Sequence, residues 1–211
     1  MFQLKQVAGP PEPVVSVAEL KEYLRIDNNL EDGRIQVMEA AAVKMLENYT
    51  DHKFVEQIWD VFMDNWPMSS SRKWWDGTRE ISINEMVTPS RNITLPIGSG
   101  IELVQFSTYS DDQEIVENPS NYVFDSAGPR CRVGLKLGAV WPTTILRPSN
   151  GIRFRVKVGF GLSSVVPMDI KQAVKELVAH MYENRGDQAE MKTPPHIFAL
   201  VDGYRRVKLG C

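Results

Sequence analysis

Glu176, His180 and Glu183 stand four and three residues apart in one helical segment. That spacing sets an imidazole beside carboxylates, the raw material of a general base or of half a metal site. A carboxylate-bridged metal centre needs Glu-x-x-His on each of two helices, and neither copy is present. The other histidines, His52 and His196, do not pair with His180 at zinc-ligand spacing, and there is no Cys-x-x-Cys. Gly-x-Ser-x-Gly is absent, which removes the nucleophile elbow. Gly98-Ser99-Gly100 and Gly159-Phe160-Gly161 lack the Lys-Ser/Thr and the βαβ setting of a phosphate loop, and read as turns. Asp111, Asp112 and Glu114 lack the central glycine and spacing of a calcium loop, and read as a hairpin tip. Arg153, Arg155 and Lys157 form a basic stripe on one strand face. Such a stripe touches nucleic acid in some proteins, but without interleaved aromatics it is more often solvated or paired with carboxylates. The chain therefore carries no catalytic, cofactor or metal set. His180, with Glu176 or Glu183, is the residue that a small hydrolase would use, and a hydrogen-bonded structural role is the expectation.

These residues sit on elements with clear signatures. Pro167 to Gly186 reads as a helix: Pro167 in the first turn, Asp169 near the positive end of the dipole, Gly186 as its close. Ile170, Val174, Leu177 and Met181 make its apolar stripe, and Lys171, Lys175, Tyr182 and Arg185 run along another side. Ser16 and Glu19 form a capping box ahead of a short helix with Leu20, Tyr23 and Leu24 inside, ending near Asp27–Asn29. A second helix begins near Glu31 or Asp32 and runs to Thr50 with the stripe Ile35, Met38, Ala42, Met45 and Tyr49. A last helix starts at Pro195, with Thr193 as N-cap and Ile197, Leu200, Val201 and Tyr204 inside. Between the helices the period changes to two. Gln57–Asp64, Ile101–Tyr109, Asn121–Asp125, Arg132–Leu137 and Ile152–Phe160 read as strands.

The order predicts an α+β fold, a small helical bundle from both ends of the chain interrupted by an antiparallel β-rich subdomain. The expected organisation is an extended arm at 1–15, a bundle from 16–53 and 165–205, a β insertion at 54–164 and a tail at 206–211. Residues 65–92 form a long polar segment with Trp66, Trp74 and Trp75, suited to anchoring in a partner's pocket or to folding back on the chain's own sheet. A 43% apolar fraction, 24% charge and a net charge of −3 fit an ordinary soluble domain without bulk affinity for nucleic acid. The N-terminus lacks the blocks of a signal peptide and no apolar run reaches membrane-spanning length. Cys131 and Cys211 fit a reducing compartment better than a disulfide.

Val15–Asp27 (VSVAELKEYLRID), Ile35–Thr50 (IQVMEAAAVKMLENYT), Ile170–Arg185 (IKQAVKELVAHMYENR) and the strand GIRFRVKVGFG come in an order that resembles the head–tail connector proteins of tailed phages, also called adaptor or neck proteins, in their larger form with a β-rich insertion. The resemblance spans roughly residues 15–64, 93–125 and 139–207. It implies a structural virion protein, made in the host cytoplasm and placed in the neck: a homo-oligomeric ring, usually of twelve copies, that docks on the portal, extends the DNA channel without sequence-specific binding and offers a platform to the next neck or tail protein. It implies no catalytic residues and no cofactor. On that reading Tyr204, Arg205, Arg206 and Lys208 are the candidates for portal docking. Trp66, Trp74 and Trp75 are candidates for a subunit or neck contact. Lys171, Lys175 and Arg185 are candidates for the ring interface or channel face. A tail-terminator or stopper ring is the alternative, and would need a dominant β-barrel.

Overall fold

The Ser16 hydroxyl accepts the Glu19 N–H at 3.2 Å, so Ser16 caps helix α1 (Val17–Leu24) where the sequence places it. The helix stops earlier than its period suggests. Arg25 takes the left-handed conformation at φ 56°, its N–H bonds the Glu22 carbonyl at 3.2 Å, and the Ile26 N–H bonds Lys21 at 2.9 Å. This closure satisfies two terminal carbonyls and turns the chain toward α2 (Asp32–Thr50). Among the described residues, helices α3 (Met168–Glu183) and α4 (Pro195–Val201) follow. The computed structural model describes residues 2–67, 90–98, 100–128, 130–184 and 193–206.

The protein is α+β and divides into two units, residues 8–57 with 158–211 and residues 1–7 with 58–157. The first unit is helical. Ile170, Val174 and Leu177 of α3 are buried with Ala173 and Val178, and Met181 packs at their margin. They meet Ile35, Ala42 and Leu46 of α2, Leu20 of α1, and Ile197 and Val201 of α4. Each such aliphatic contributes about 1.5–3 kcal/mol by leaving water. The buried line of α2 is Ile35, Glu39, Ala42, Leu46 and Thr50, while Met45 is partly exposed. The expected stripe through Met45 and Tyr49 is thus rotated by one residue at its end. It rotates because two carboxylates occupy inward positions and are satisfied there. Glu39 accepts the Val14 N–H at 2.9 Å and the Val15 N–H at 3.4 Å. Glu47 accepts from Lys53 Nζ at 2.8 Å, and from the Phe54 N–H and Gln57 Nε2 at 3.1 Å each.

Two helix ends differ from expectation. Pro167 is the N-cap of α3 rather than a first-turn residue, and Asn184 stands at the other end, its N–H on the His180 carbonyl at 3.1 Å. Gly186, the expected close, lies outside the described residues. Pro194, not Thr193, is the N-cap of α4, with Pro195 at the first helical position.

The second unit is built of strands. A five-stranded sheet runs in the order β1 (Phe2–Ala8), β2 (Gln57–Met63), β8 (Ile152–Val158), β4 (Gly100–Ser110), β5 (Gln113–Val116). A three-stranded antiparallel sheet has β7 (Arg132–Leu135) between β3 (Asn92–Thr94) and β6 (Tyr122–Asp125), with Val133 opposite both Ile93 and Phe124. Asp111, at φ 50°, and Asp112 form the tip of the β4–β5 hairpin, as their turn chemistry suggests. The arm expected to be extended is in part paired and in part packed. Residues Phe2–Ala8 are a strand, and Val14 and Val15 are buried in the helical unit. Strands β3 and β5 were also invisible in the period, being three and four residues long.

At the start of the return to helix, Gly159 and Gly161 take φ values of 128° and 130°, which only glycine adopts without strain. Between them the Phe160 N–H bonds the Phe54 carbonyl at 2.9 Å, and Glu56 bonds Gly161 at 2.8 Å. The glycine pair read as a turn is therefore a close backbone contact. A Cβ on Gly159 would lie 2.7 Å from Val55 backbone atoms.

Candidate interaction sites

The C-terminal candidates are held by the helical unit. After α4 a 3-10 turn, Asp202–Tyr204, presents Tyr204, Arg205 and Arg206 in succession. The Tyr204 ring meets Phe160 edge-on at 5.9 Å. The Arg205 guanidinium lies 4.8 Å above the Tyr49 ring, and the Tyr49 hydroxyl donates to Asp202 Oδ1 at 2.9 Å. That hydrogen bond, more than burial, raises the Tyr49 pKa. The Arg206 N–H donates to the Thr50 carbonyl at 3.1 Å, and its Nη2 stands 3.3 Å from His52 Nδ1. Burial first, then the Arg206 charge, lowers the His52 pKa to about 4, so the ring is neutral at physiological pH and free to accept from the guanidinium. Two cations are thus fixed at the point from which the last five residues leave, and Arg205 is exposed. Guanidinium groups in this setting can take carboxylates as paired donors. Lys208 lies outside the described residues.

The α3 candidates are partly committed within the chain. Lys175 Nζ is 3.3 Å from Glu19 Oε2, an ion pair joining α3 to α1. Lys171 is half-buried, and Arg185 lies outside the described residues. The hydrolase arrangement does not form among the described residues. Glu176 accepts from Gln172 Nε2 at 2.9 Å and lies 3.5 Å from His196, while His180 Nδ1 is 3.0 Å from Asn184 Nδ2. His180 is bound to its own helix end, the hydrogen-bonded role expected of it. No cluster of three metal-ligating side chains occurs among the described residues.

Trp66 belongs to an aromatic cluster of its own unit. It stacks on Trp141 at 4.8 Å and meets Phe106 edge-on at 6.0 Å. Trp141 in turn stacks on Tyr122 at 5.5 Å and donates its indole N–H to the Ser90 carbonyl at 2.8 Å. The fold-back alternative is the one found for this ring; Trp74 and Trp75 lie outside the described residues. Beside Trp66 and Trp141 opens a groove of about 850 Å³, lined also by Arg91, Leu135, Val140 and Thr144. The segment around Trp141 also exposes Leu137 (96%), Val140 (74%) and Ile145 (85%). Sequence reasoning missed these aliphatics, because a stretch without period gives no face on which exposure can be read; its only signal was the lack of charged residues in a loop.

The basic stripe is paired. Arg155 forms a two-point ion pair with Asp60 of β2, and Arg153 bonds Glu114 of β5, with Ser107 at 3.3 Å. The Asp60 hydrogen bonds raise the Arg155 pKa further. Arg147 lies 4.2 Å over the Tyr109 ring and Arg153 5.6 Å from it. The face is cross-linked rather than open to a phosphate backbone.

No family model and no curated protein matches the chain. Solved structures do. A chain from the neck of an empty GTA particle, computed with C6 symmetry, aligns at a TM-score of 0.73 and 23% identity, over 98% of this chain and 97% of that one. A chain from the virion of the native gene transfer agent (GTA) particle aligns at 0.71 and 23%, with the same coverage. A chain from the neck of the native GTA particle, computed with C12 symmetry, aligns at 0.69 and 22%, again over 98% and 97%. The likeness is one of fold, over nearly the whole of each chain.

Proposed function

We propose that this chain is a structural subunit of a virion neck, a head–tail connector ring that docks on the portal, extends the DNA channel and carries the next neck or tail protein. The observation that carries the reading is the end-to-end likeness in fold to chains from GTA necks. The C12 symmetry of one such neck accords with a ring of twelve. The paired state of the basic stripe supports it too. A conduit that bound the duplex through a row of open cations would hold it by its phosphates, whereas Arg153 and Arg155 are already matched by carboxylates.

Docking on the portal is assigned to the C-terminal segment. Tyr204, Arg205 and Arg206 fix its root on the helical unit, and Arg205 and Lys208 supply charge for acidic partner groups. The subunit or neck contact is assigned to the Trp74–Trp75 segment, with Trp66 as its inner anchor. Lys171, Lys175 and Arg185 are the cations assigned to the ring interface or channel face. The chain acts without catalysis or cofactor.

The test is assembly with the cognate portal, followed by native mass spectrometry and negative-stain microscopy. A ring stacked on the portal is expected, and Arg205→Ala should weaken the complex at least tenfold without changing the fold. A protein that stays monomeric and ignores the portal overturns the reading. A ring that binds only the tail end makes it a terminator instead.

A further inference from the structure

Strand β1 is attached to its sheet in an unusual way. All seven of its residues, Phe2–Ala8, are exposed, so no side chain on either face is buried. It is an edge strand, joined to β2 alone. Main-chain pairing joins it to β2, without the apolar burial that normally makes a strand persist. Phe2, Leu4 and Val7 are 38%, 46% and 45% exposed, apolar surface that this chain leaves in water.

The next residues behave oppositely. Gly9-Pro10-Pro11-Glu12-Pro13 cannot fold into helix or ladder, because its prolines fix φ and remove donors, and it runs as a short strap that bends at Pro11 and Glu12. Beyond it the chain is pinned. Glu12 Oε1 accepts the Ser163 N–H at 2.5 Å, the Glu39 carboxylate takes the Val14 and Val15 N–H groups, and both valines are buried. These anchors lie in the helical unit, while β1 lies in the strand unit. One strand is thus tethered, by a short stiff strap, to a unit other than the one whose sheet it completes.

We propose that in the assembled ring β1 leaves its own sheet and pairs as the edge strand of β2 in the neighbouring copy, each subunit giving its strand to the next. The inference rests on the ring reading of this chain. The intramolecular and exchanged pairings use the same two strands, so their contact energies are nearly equal and proximity decides between them. The four Cα–Cα steps from Ala8 to Glu12 span at most about 14 Å, so with Glu12 held in place a neighbour's β2 edge within that distance can be served. Head-to-tail exchange closes naturally into a ring and leaves no open β2 edge to pair with foreign strands.

The test uses full-length chains carrying a benzophenone photocrosslinker at Leu4, an exposed position where it disturbs no core. Unlabelled and ¹⁵N-labelled proteins are mixed in equal amounts before assembly, irradiated as monomers and as rings, and digested for mass spectrometry. Crosslinks between the peptides of β1 and β2 are then sorted by isotope. Monomers should give same-isotope pairs alone, and rings should give mixed pairs in about half of the crosslinks, as random neighbours require. Rings with same-isotope pairs alone overturn the exchange and leave the ring reading intact. A chain that never assembles overturns both.

Discussion

Arg155 grips Asp60 with both arms of its guanidinium, Nε at 2.7 Å from Oδ1 and Nη2 at 2.9 Å from Oδ2. The two residues sit on adjacent strands, β8 and β2, ninety-five positions apart in the chain. The Asp60 side chain is 5% exposed and that of Arg155 27%. Planar bidentate geometry fixes the strands against sliding as well as apart.

Removing one partner should therefore cost more than removing both. Asp60→Ala leaves a guanidinium over an emptied, largely dry position. A cost of about 2–3 kcal/mol is expected, below the full penalty for a buried pair because Arg155 retains some water. The double variant Asp60→Leu/Arg155→Met should recover most of it. Thermal melts followed by circular dichroism in the strand region check this; equal losses in the single and double variants would show that the pair does not act as a unit.

How far the chain explained itself depended on whether a residue's partner lay on its own element. Ile170, Val174 and Leu177 declared their face by spacing, and they are buried as that spacing requires. Ser16 and Glu19 are three residues apart, and the Ser16 hydroxyl accepts the Glu19 N–H. Arg155 and Asp60 could not announce themselves, because pairing across strands depends on register and sheet order. Glu39 and Glu47 point inward on a face that looked apolar only when Met45 was counted in it, and their partners are backbone groups of a distant segment. Strand β1 carries an alternating pattern too weak to separate from a proline-rich arm, since neither of its faces is buried. The fold class and helix order were legible for the first reason. The site residues were named by charge and aromaticity, and what each touches came from tertiary contacts.

Glu39 carries a pH signature. Burial outweighs the two N–H bonds from Val15 and Val14, so its pKa is raised above the ordinary 4.5. A folded carboxyl with raised pKa holds its proton where the unfolded one has lost it, so stability falls as pH climbs from 4.5 through the raised value and is level above it. Glu39→Gln keeps an acceptor and loses the charge. The difference between variant and wild type should grow in the variant's favour over that window, to at most about 1 kcal/mol at neutral pH. Glu39→Leu orphans two buried N–H groups and should cost about 1–3 kcal/mol at every pH. Urea melts at several pH values separate the two; a Gln variant whose difference from wild type is pH-independent would contradict the assignment.

Two glycines should respond in opposite directions to alanine. Gly159 has φ 128° and a Cβ there would meet Val55 C and O at 2.7 Å and Glu56 N at 2.8 Å, all backbone atoms. Gly159→Ala should lose about 3 kcal/mol or more, with the helical unit melting first. Gly33 lies in the first turn of α2 with nothing within 4 Å of an added Cβ. Gly33→Ala should stabilise by up to about 1 kcal/mol. Differential scanning calorimetry of both variants decides the matter, and a neutral Gly159→Ala would mean that the Phe54–Phe160 backbone contact yields easily.

His52 gives the helical unit an acid limit, with a sign opposite to that of Glu39. Its ring lies parallel to Phe160 at 6.1 Å and its Nδ1 faces Arg206, while Asp51 offers only a small opposing charge. Protonation would place a second cation against Arg206, and the folded pKa of about 4 stands below the ordinary 6.5. Between those values the unfolded chain takes up a proton that the folded one refuses, so stability is full above 6.5 and lost as pH falls toward 4. Because the ring is only partly buried, the loss attributable to it is about 1–3 kcal/mol. His52→Gln keeps a hydrogen-bonding group beside Arg206 and cannot titrate. Its stability should fall less steeply between pH 6.5 and 4, whatever the other carboxylates do, and the Arg206 anchor at Thr50 should hold to lower pH. Hydrogen exchange at the Arg206 amide, whose bond to the Thr50 carbonyl closes the C-terminal root, reads this locally. An amide that opens at the same pH in wild type and variant would show that His52 does not govern the release of that segment.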